Sequence, residues 1–261
     1  MDRDSSALIP AERRHRIREM LRAQGTVKVS ALSQLFDVSE ITIRRDLEHL
    51  ERDGLLERTH GGAVLSQRMR REPLYTDKDQ LHRAEKQTIG RVAATLVDDG
   101  DTLLVNSGST TLQVIRHLAG RQDVRVITSN MGGPFAIHDP GFEVILVGGT
   151  FRSQSNSLVG PLATQSLRQV YGSKAFIGVD GISLKYGLTT PTLPEAEVAR
   201  TMIERTRGPV IVVADHTKLG VVADFVTTSL DQVDVLVMDR GFDEAYREAL
   251  EELNIQIVIA E

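Results

Sequence analysis

From residue 82 onward the chain falls into a rhythm that few folds accommodate. Short apolar runs recur at 102–105, 124–128, 143–147, 175–179, 210–214, 233–238 and 255–259. Stretches with helical spacing lie between most of them, at 110–119, 161–171, 194–207 and 243–253, and another, 83–97, precedes the first run. Runs this short and this apolar suit strands buried on both faces, and strands that alternate with helices pair in parallel. The pattern predicts an α/β domain over 82–261, built on a mostly parallel sheet covered on both sides.

In an open sheet of this kind, ligands sit beyond the carboxyl ends of the strands. The first such loop reads Asn106-Ser107-Gly108-Ser109-Thr110-Thr111 and leads into a helix. Free backbone N–H groups, the helix dipole and several hydroxyls can there converge on one phosphate. The bland alternative is an ordinary capped turn of small residues. Ser129 closes the second run, Gly148-Gly149 and Arg152 follow the third, Asp180 follows the fourth, and Lys218 follows the fifth. Taken singly, an Asp at a strand end is a turn residue and Lys218 is a solvated amine. Gathered at one sheet edge, they offer hydroxyls and cations to a phosphate and carboxylates to sugar hydroxyls. Glu195 opens a helix, where it serves either the dipole or a sugar hydroxyl.

The first 65 residues follow another pattern. Pro10 suits a helix start. Ile17, Met20 and Leu21 share a helical face among arginines expected to be solvated, and Gly25 ends that helix. Residues 26–29 are short and β-branched, a candidate strand. A second helix, about 30–36, is expected to bury Leu32, Leu35 and Phe36. After the turn 36–39, Ser39 is placed to cap a third helix, in which Ile43, Leu47 and Leu50 share one face. Thr42, Arg44, Arg45 and His49 fall on its other faces. Two adjacent arginines early on an exposed helix suit the major groove, where arginine reaches guanine edges or flanking phosphates. They equally suit a solvated face paired with Asp46, Glu48 and Glu51. Residues 55–58 and 63–65, joined through His60-Gly61-Gly62, form a hairpin wing carrying Arg58 and His60. Lys28 and Ser30 complete the candidate DNA contacts. The expectation is a winged helix-turn-helix over 10–65, followed by a basic linker over 66–81 with Arg68, Arg70, Arg71 and Pro73.

Charge agrees with this division. Residues 1–72 carry 14 Lys+Arg against 12 Asp+Glu, while the remainder carries 17 against 24, within a net charge of −5. A mildly basic head on an acidic body suits local contact with DNA rather than a basic coat. With no cysteine, disulfides and thiolate metal sites are excluded, and no metal or cofactor is expected. No membrane span or secretory signal is visible, which points to a cytoplasmic protein.

The segments Thr42-Ile-Arg-Arg-Asp-Leu47 and Gly54-Leu-Leu-Glu-Arg-Thr-His-Gly-Gly-Ala63 closely resemble the signature of the DeoR family of bacterial transcriptional regulators. The strand-end loops resemble that family's sensor domain in the same order, so the likeness runs from about residue 10 onward. It implies operator DNA as a partner, a phosphorylated sugar as effector, and a homo-oligomer, dimer or tetramer, acting as a repressor of a sugar-metabolism operon. Two departures stand out: Asn106 occupies a position where the family commonly has Asp, and 131–140, with two glycines and two prolines, is atypical. The sensor domain is similar in fold to ribose-5-phosphate isomerases, which supplies an alternative, a sugar-phosphate isomerase-like enzyme using Asp180 and Glu195. Proton shuttling needs a positioned base with an acid partner. The second aspartate and the lysine-led glycine loop of those isomerases are missing from 178–183 and beyond.

Overall fold

A computed structural model describes residues 9–24, 26–52, 55–59, 61–65, 74–136 and 142–261. The chain divides into two compact units, 1–73 and 74–261.

In the first unit, α1 (Pro10–Gln24), β1 (Thr26–Lys28), α2 (Val29–Phe36), α3 (Glu40–Arg52), β2 (Leu56–Thr59) and β3 (Gly62–Leu65) follow in order. The strands form an antiparallel sheet in the order β1-β3-β2, so the short β-branched segment does join the wing. Ile17 and Leu21 of α1, Leu32 and Phe36 of α2, and Ile43, Leu47 and Leu50 of α3 close one core with Leu56 and Ala63. Asp37 takes the left-handed conformation (φ 52°) that reverses the chain between α2 and α3, a region Asp tolerates better than most residues. Three expectations fail here. Leu35 is 59% exposed rather than buried, because α2 is only eight residues long and its inward face is already filled by Val29, Leu32 and Phe36. The arginines of α1 are not all solvated: Arg13 and Arg18 are buried. Arg13 Nε donates to Asp46 Oδ2 at 2.6 Å, so Asp46 turns inward to α1 instead of outward to Arg44 or Arg45.

The second unit contains α4 (Tyr75–Gln80), α5 (Arg83–Ala94), α6 (Ser109–Arg116), α7 (Pro161–Leu167), α8 (Leu193–Glu204) and α9 (Arg247–Glu252). Its main sheet has seven parallel strands: β4 (Thr102–Val105), β5 (Val124–Thr128), β6 (Phe142–Leu146), β9 (Lys174–Gly178), β12 (Val210–Val213), β14 (Val235–Asp239) and β15 (Gln256–Ala260). They correspond to the seven apolar runs. Strand order is β15-β14-β12-β9-β4-β5-β6. Succession therefore runs outward in both directions from the β4/β9 pair, which is the topological switch point. Alternate residues serve opposite faces. Leu103, Val105, Phe176 and Val213 pack with Ile89 and Ala93 of α5 and with Val114 and Ile115 of α6. Leu104, Ala175, Ile177 and Val212 pack with α7, α8 and Leu250 of α9.

Two smaller sheets had no clear signature: the hairpin β7 (Thr150–Arg152) with β8 (Ser157–Val159), and the antiparallel set β10 (Gly181–Ser183), β11 (Gly187–Thr190) and β13 (Phe225–Thr228). The linker expected over 66–81 ends earlier. Residues 74–81 belong to the second unit, where α4 is tied down by polar contacts. Of the atypical segment 131–140, residues 131–136 form successive turns and 137–140 lie outside the described residues.

Candidate functional site

At the switch point, Asn106 ends β4 and bridges to β9. Its Nδ2 donates to Gly178 O at 2.9 Å, and its Oδ1 accepts from Gly178 N–H at 2.8 Å. The side chain is buried and uses both ends of its amide. A carboxylate could accept from the Gly178 N–H but has no hydrogen for the carbonyl. The amide where the resembling family commonly has Asp thus stitches two strand ends together.

The following residues draw neighbouring loops onto this stitch. Ser107 N–H donates to Ser129 Oγ at 3.1 Å, and Ser107 Oγ donates to Ser155 O at 3.0 Å. Gly108 O accepts from Asn130 Nδ2 at 3.0 Å. Ser109 Oγ reaches Lys78 O at 3.5 Å. Thr111 Oγ1 donates back to Asn106 O at 2.8 Å and fixes the turn. The buried Thr110 hydroxyl has no hydrogen-bond partner among the described residues. The first N–H groups of α6 have no acceptor within the helix.

A second branch runs through the β7–β8 hairpin. Arg152 Nη1 donates to Ser155 Oγ at 3.1 Å and meets Glu195 Oε1 at 3.5 Å. Glu195 also accepts from Ser157 Oγ at 3.3 Å and from Thr192 Oγ1 at 3.1 Å. It stands in the first turn of α8 and inside this network at once. The guanidinium of Arg152, expected as a cation for ligand, is engaged by this carboxylate. Gly149 has φ 137°, and a Cβ there would lie 2.7 Å from Val159 O, so the close approach that it permits is to β8.

The third branch carries most of the charge. Lys78 Nζ donates to Asp180 Oδ1 at 2.7 Å, while Asp180 Oδ2 accepts from Thr190 Oγ1 at 3.2 Å. Burial pushes the Asp180 carboxyl up, but Lys78 and Lys218 outweigh it and hold the group below its ordinary range. Asp215 behaves alike: burial raises it, and Lys218 and Lys86 bring it down. Lys218 Nζ makes no hydrogen bond among the described residues, and its charge acts on both the Asp180 and Asp215 carboxylates. Lys86, by contrast, is buried and donates to Leu81 O at 2.6 Å and, more closely, to Lys78 O. Burial lowers its pKa to about 8, against the pull of Asp215. Beside them, His216 Nδ1 lies 2.8 Å from Asp239 Oδ2, and the His82 and His216 rings meet edge to face, centroids 5.1 Å apart.

Of the twelve effector residues expected from sequence, hydrogen bonds join Asn106, Ser107, Gly108, Ser109, Ser129, Arg152, Asp180 and Glu195 to neighbouring elements, and Thr111 closes its own loop. Thr110 and Lys218 flank them without side-chain hydrogen bonds among the described residues, and Gly149 shapes the hairpin. Lys78 and Lys86 were missed. They precede the first strand in sequence, and nothing in their spacing ties them to a strand end. Among the described residues no group of three or more His, Asp or Glu is arranged to hold a metal ion, and no helix is long and apolar enough to cross a membrane.

In the first unit, Ser39 caps α3 as expected: its Oγ accepts from Thr42 N–H at 3.2 Å and lies 2.9 Å from Thr42 Oγ1. Arg44 pairs with Glu40 at 3.1 Å, one turn away on the same helix. Arg58 on β2 meets Glu48 at 2.7 Å and Glu51 at 3.0 Å. His49 Nδ1 lies 2.6 Å from Arg52 Nη2. Arg45 is exposed and has no side-chain partner among the described residues. Lys28 and Ser30 are exposed at the start of α2, and His60 lies outside the described residues. Ile41, 64% exposed on α3, was not among the sequence candidates. An apolar residue on that face carries no charge signal.

Family comparisons agree with this layout. Residues 13–69 match the DeoR-like helix-turn-helix domain, and residues 81–240 match the DeoR C-terminal sensor domain. The transcriptional repressor AccR of Agrobacterium fabrum is 34% identical, covering 95% of this chain and 97% of its own. The HTH-type transcriptional repressor GlcR of Bacillus subtilis is 31% identical, covering 96% of each chain. The HTH-type transcriptional regulator GlpR of Haloferax volcanii is 32% identical, over 96% of this chain and 98% of its own. These relatives are named as regulators, and the isomerase alternative has no counterpart among them. Among solved structures, ribose 5-phosphate isomerase A from Methanocaldococcus jannaschii aligns with 51% of this chain and 53% of its own, at 18% identity and a TM-score of 0.38. That likeness is too slight to bear on function. The two matched ranges and the near-full-length relatives establish that the chain belongs to the DeoR family of DNA-binding transcriptional regulators.

Proposed function

We propose that the protein is a repressor of a sugar-metabolism operon, released or engaged by a phosphorylated sugar bound at the β4/β9 switch point. The phosphate lies on the first turn of α6, against Ser107, Gly108, Ser109 and Thr110, with Lys218 as its counter-cation. Asp180 and Glu195 take sugar hydroxyls. The observation that carries this reading is the convergence of hydrogen-bonded loops on the α6 N-terminus, with the Thr110 hydroxyl free of hydrogen bonds among the described residues and Lys218 set against Asp180. Operator contact is made by α3 through Arg45, Arg44, Thr42, Ser39 and His49, with Ile41 against a thymine methyl. Lys28, Ser30, Arg58 and His60 contact the backbone. The working form is a homo-oligomer, a dimer or tetramer, whose half-sites lie about 34 Å apart or a multiple of that. The effector acts through its differential affinity for two arrangements, with coupling of about 1–3 kcal/mol.

The test is a thermal-shift panel of sugar phosphates on the full chain, followed by operator binding with and without each hit. Ser107→Ala/Thr110→Ala is carried in parallel. A hit that stabilises wild type and changes its operator affinity, with both effects blunted in the double variant, supports the site. A full response in the double variant would place the phosphate elsewhere.

A further inference from the structure

Helix α4 lies outside both ranges matched to family domains, yet it borders the candidate site. None of its six residues is buried, and a helix this short does not hold itself together in water. Its anchors are polar, and several belong to the site. Lys78 Nζ holds Asp180 at 2.7 Å, Ser109 Oγ reaches Lys78 O at 3.5 Å, and Lys86 Nζ clasps Lys78 O and Leu81 O at the helix's C-terminal end. Tyr75 N–H donates to Gln154 O at 2.8 Å, in the hairpin that carries Arg152. Two further atoms are shielded from water, Tyr75 Oη, which lies beside Asn130, and Asp79 Oδ1. One of its anchors is thus an ion pair, Lys78 with Asp180, whose carboxylate faces the proposed ligand. In sequence, α4 begins two residues after position 73, where the first unit ends.

We propose that Lys78 is a specificity and coupling residue of the effector site: it holds Asp180 in the arrangement seen here, and an anionic sugar ligand competes for its ammonium. Asp180 is then free to accept from sugar hydroxyls, and α4 loses that tether. Ligand chemistry is read as the combination of an anion with neighbouring hydroxyls, since a bare anion satisfies Lys78 but leaves Asp180 Oδ1 without the donor it has here. Loosening of α4 carries occupancy to the start of the segment that leads back to the DNA-binding unit. This inference rests on the effector reading above for its ligand half. The latch itself stands on the geometry of Lys78 and Asp180.

The experiment is amide hydrogen exchange over 74–81 in the full chain, comparing wild type, Lys78→Met, Asp180→Asn and the double variant, with inorganic phosphate and glucose 6-phosphate as probes. Each single variant is expected to speed exchange in 75–81 by about fivefold or more, the double variant no further. Unchanged exchange in both single variants overturns the latch. If one single variant misfolds, the other decides. In wild type, glucose 6-phosphate is expected to raise both the melting temperature and the exchange over 75–81, and inorganic phosphate to do so less. A melting shift without any change over 75–81 would sink the coupling and leave the effector site standing. If neither probe shifts melting, the ligand half falls with the effector reading, and the variants still decide the latch.

Discussion

Replacing Asn106 with Asp puts the stitch between β4 and β9 to a quantitative test. The change is nearly isosteric and restores the residue that the family commonly carries there, so resemblance alone would forecast little harm. The geometry forecasts otherwise. Asn106 Nδ2 sits 2.9 Å from Gly178 O and Oδ1 sits 2.8 Å from Gly178 N. Asp keeps the second bond and turns the first into a contact between two acceptors. Loss of the donor costs about 1 kcal/mol, and the part-buried Gly178 carbonyl left facing a carboxylate about 1–3 kcal/mol more. The expected loss near neutral pH is therefore about 2–4 kcal/mol, or roughly 4–16 °C in melting temperature for a unit of this size. Burial beside a carbonyl raises the folded-state pKa of the new carboxyl above its unfolded value. Below about pH 4 the group is protonated in both states, its O–H can donate to Gly178 O, and the deficit is small. As pH rises from about 4 to 7 the unfolded chain releases its proton first, and the deficit grows to its full value. Urea unfolding of both proteins across this range, followed by circular dichroism, measures the difference. A variant as stable as wild type at pH 7.5, or a deficit that shrinks as pH rises, would refute the assignment of Asn106 as a structural bridge.

Three other outcomes are expected. Arg45→Ala lowers operator affinity by about 1–3 kcal/mol and relaxes base preference at one position; unchanged binding in a competition assay would remove Arg45 from the interface. Asp46→Ala takes away the buried carboxylate that Arg13 meets and destabilises the first unit by about 3–5 kcal/mol, whereas Arg13→Met/Asp46→Leu recovers most of that. The two unfolding curves decide it, and equal losses would mean that the unpaired arginine costs little and the pair itself carries the stability. Lys86, with its pKa lowered to about 8, charges less readily when folded than when unfolded. Between about pH 8 and 10.5 the unfolded chain binds the extra proton, so stability relative to Lys86→Met should rise with pH by up to roughly 3 kcal/mol. A flat difference across that window would show an ordinary amine.

Much of this molecule was legible in its sequence because its main sheet is buried on both faces. Strands of that kind announce themselves as continuous apolar runs, and all seven did. The Ser39 cap and the Ile43/Leu47/Leu50 face were equally plain, since each depends on neighbours three or four positions away. What stayed hidden depends on distant partners. Asp46 has arginines at its side in sequence, yet its partner is Arg13, on another helix. Short sheets such as β10-β11-β13 leave exposed positions at Phe225 and Val226, so no clean alternation marks them. Residues 74–81 read as a linker because they are polar, and that same polarity is how α4 is attached. The strand-end rule located the loops but could not tell an open side chain from an engaged one. Asn106 and Arg152 look like ligands by type and turn out to be hydrogen-bonded to protein, whereas Thr110 and Lys218 make no side-chain hydrogen bond among the described residues.

The arginines around α3 carry a last implication. Arg44 is matched by Glu40, and Arg58 by Glu48 and Glu51. A cation that reaches a phosphate by abandoning a carboxylate leaves that carboxylate near the duplex, so its gain is largely cancelled. Each phosphate contact adds about 0.9 to the slope of log affinity against log salt, and a self-neutralised surface displaces fewer counterions than its arginine count suggests. Random duplex then offers little reward, and affinity has to come from base contacts, the role proposed above for Arg45 and its neighbours.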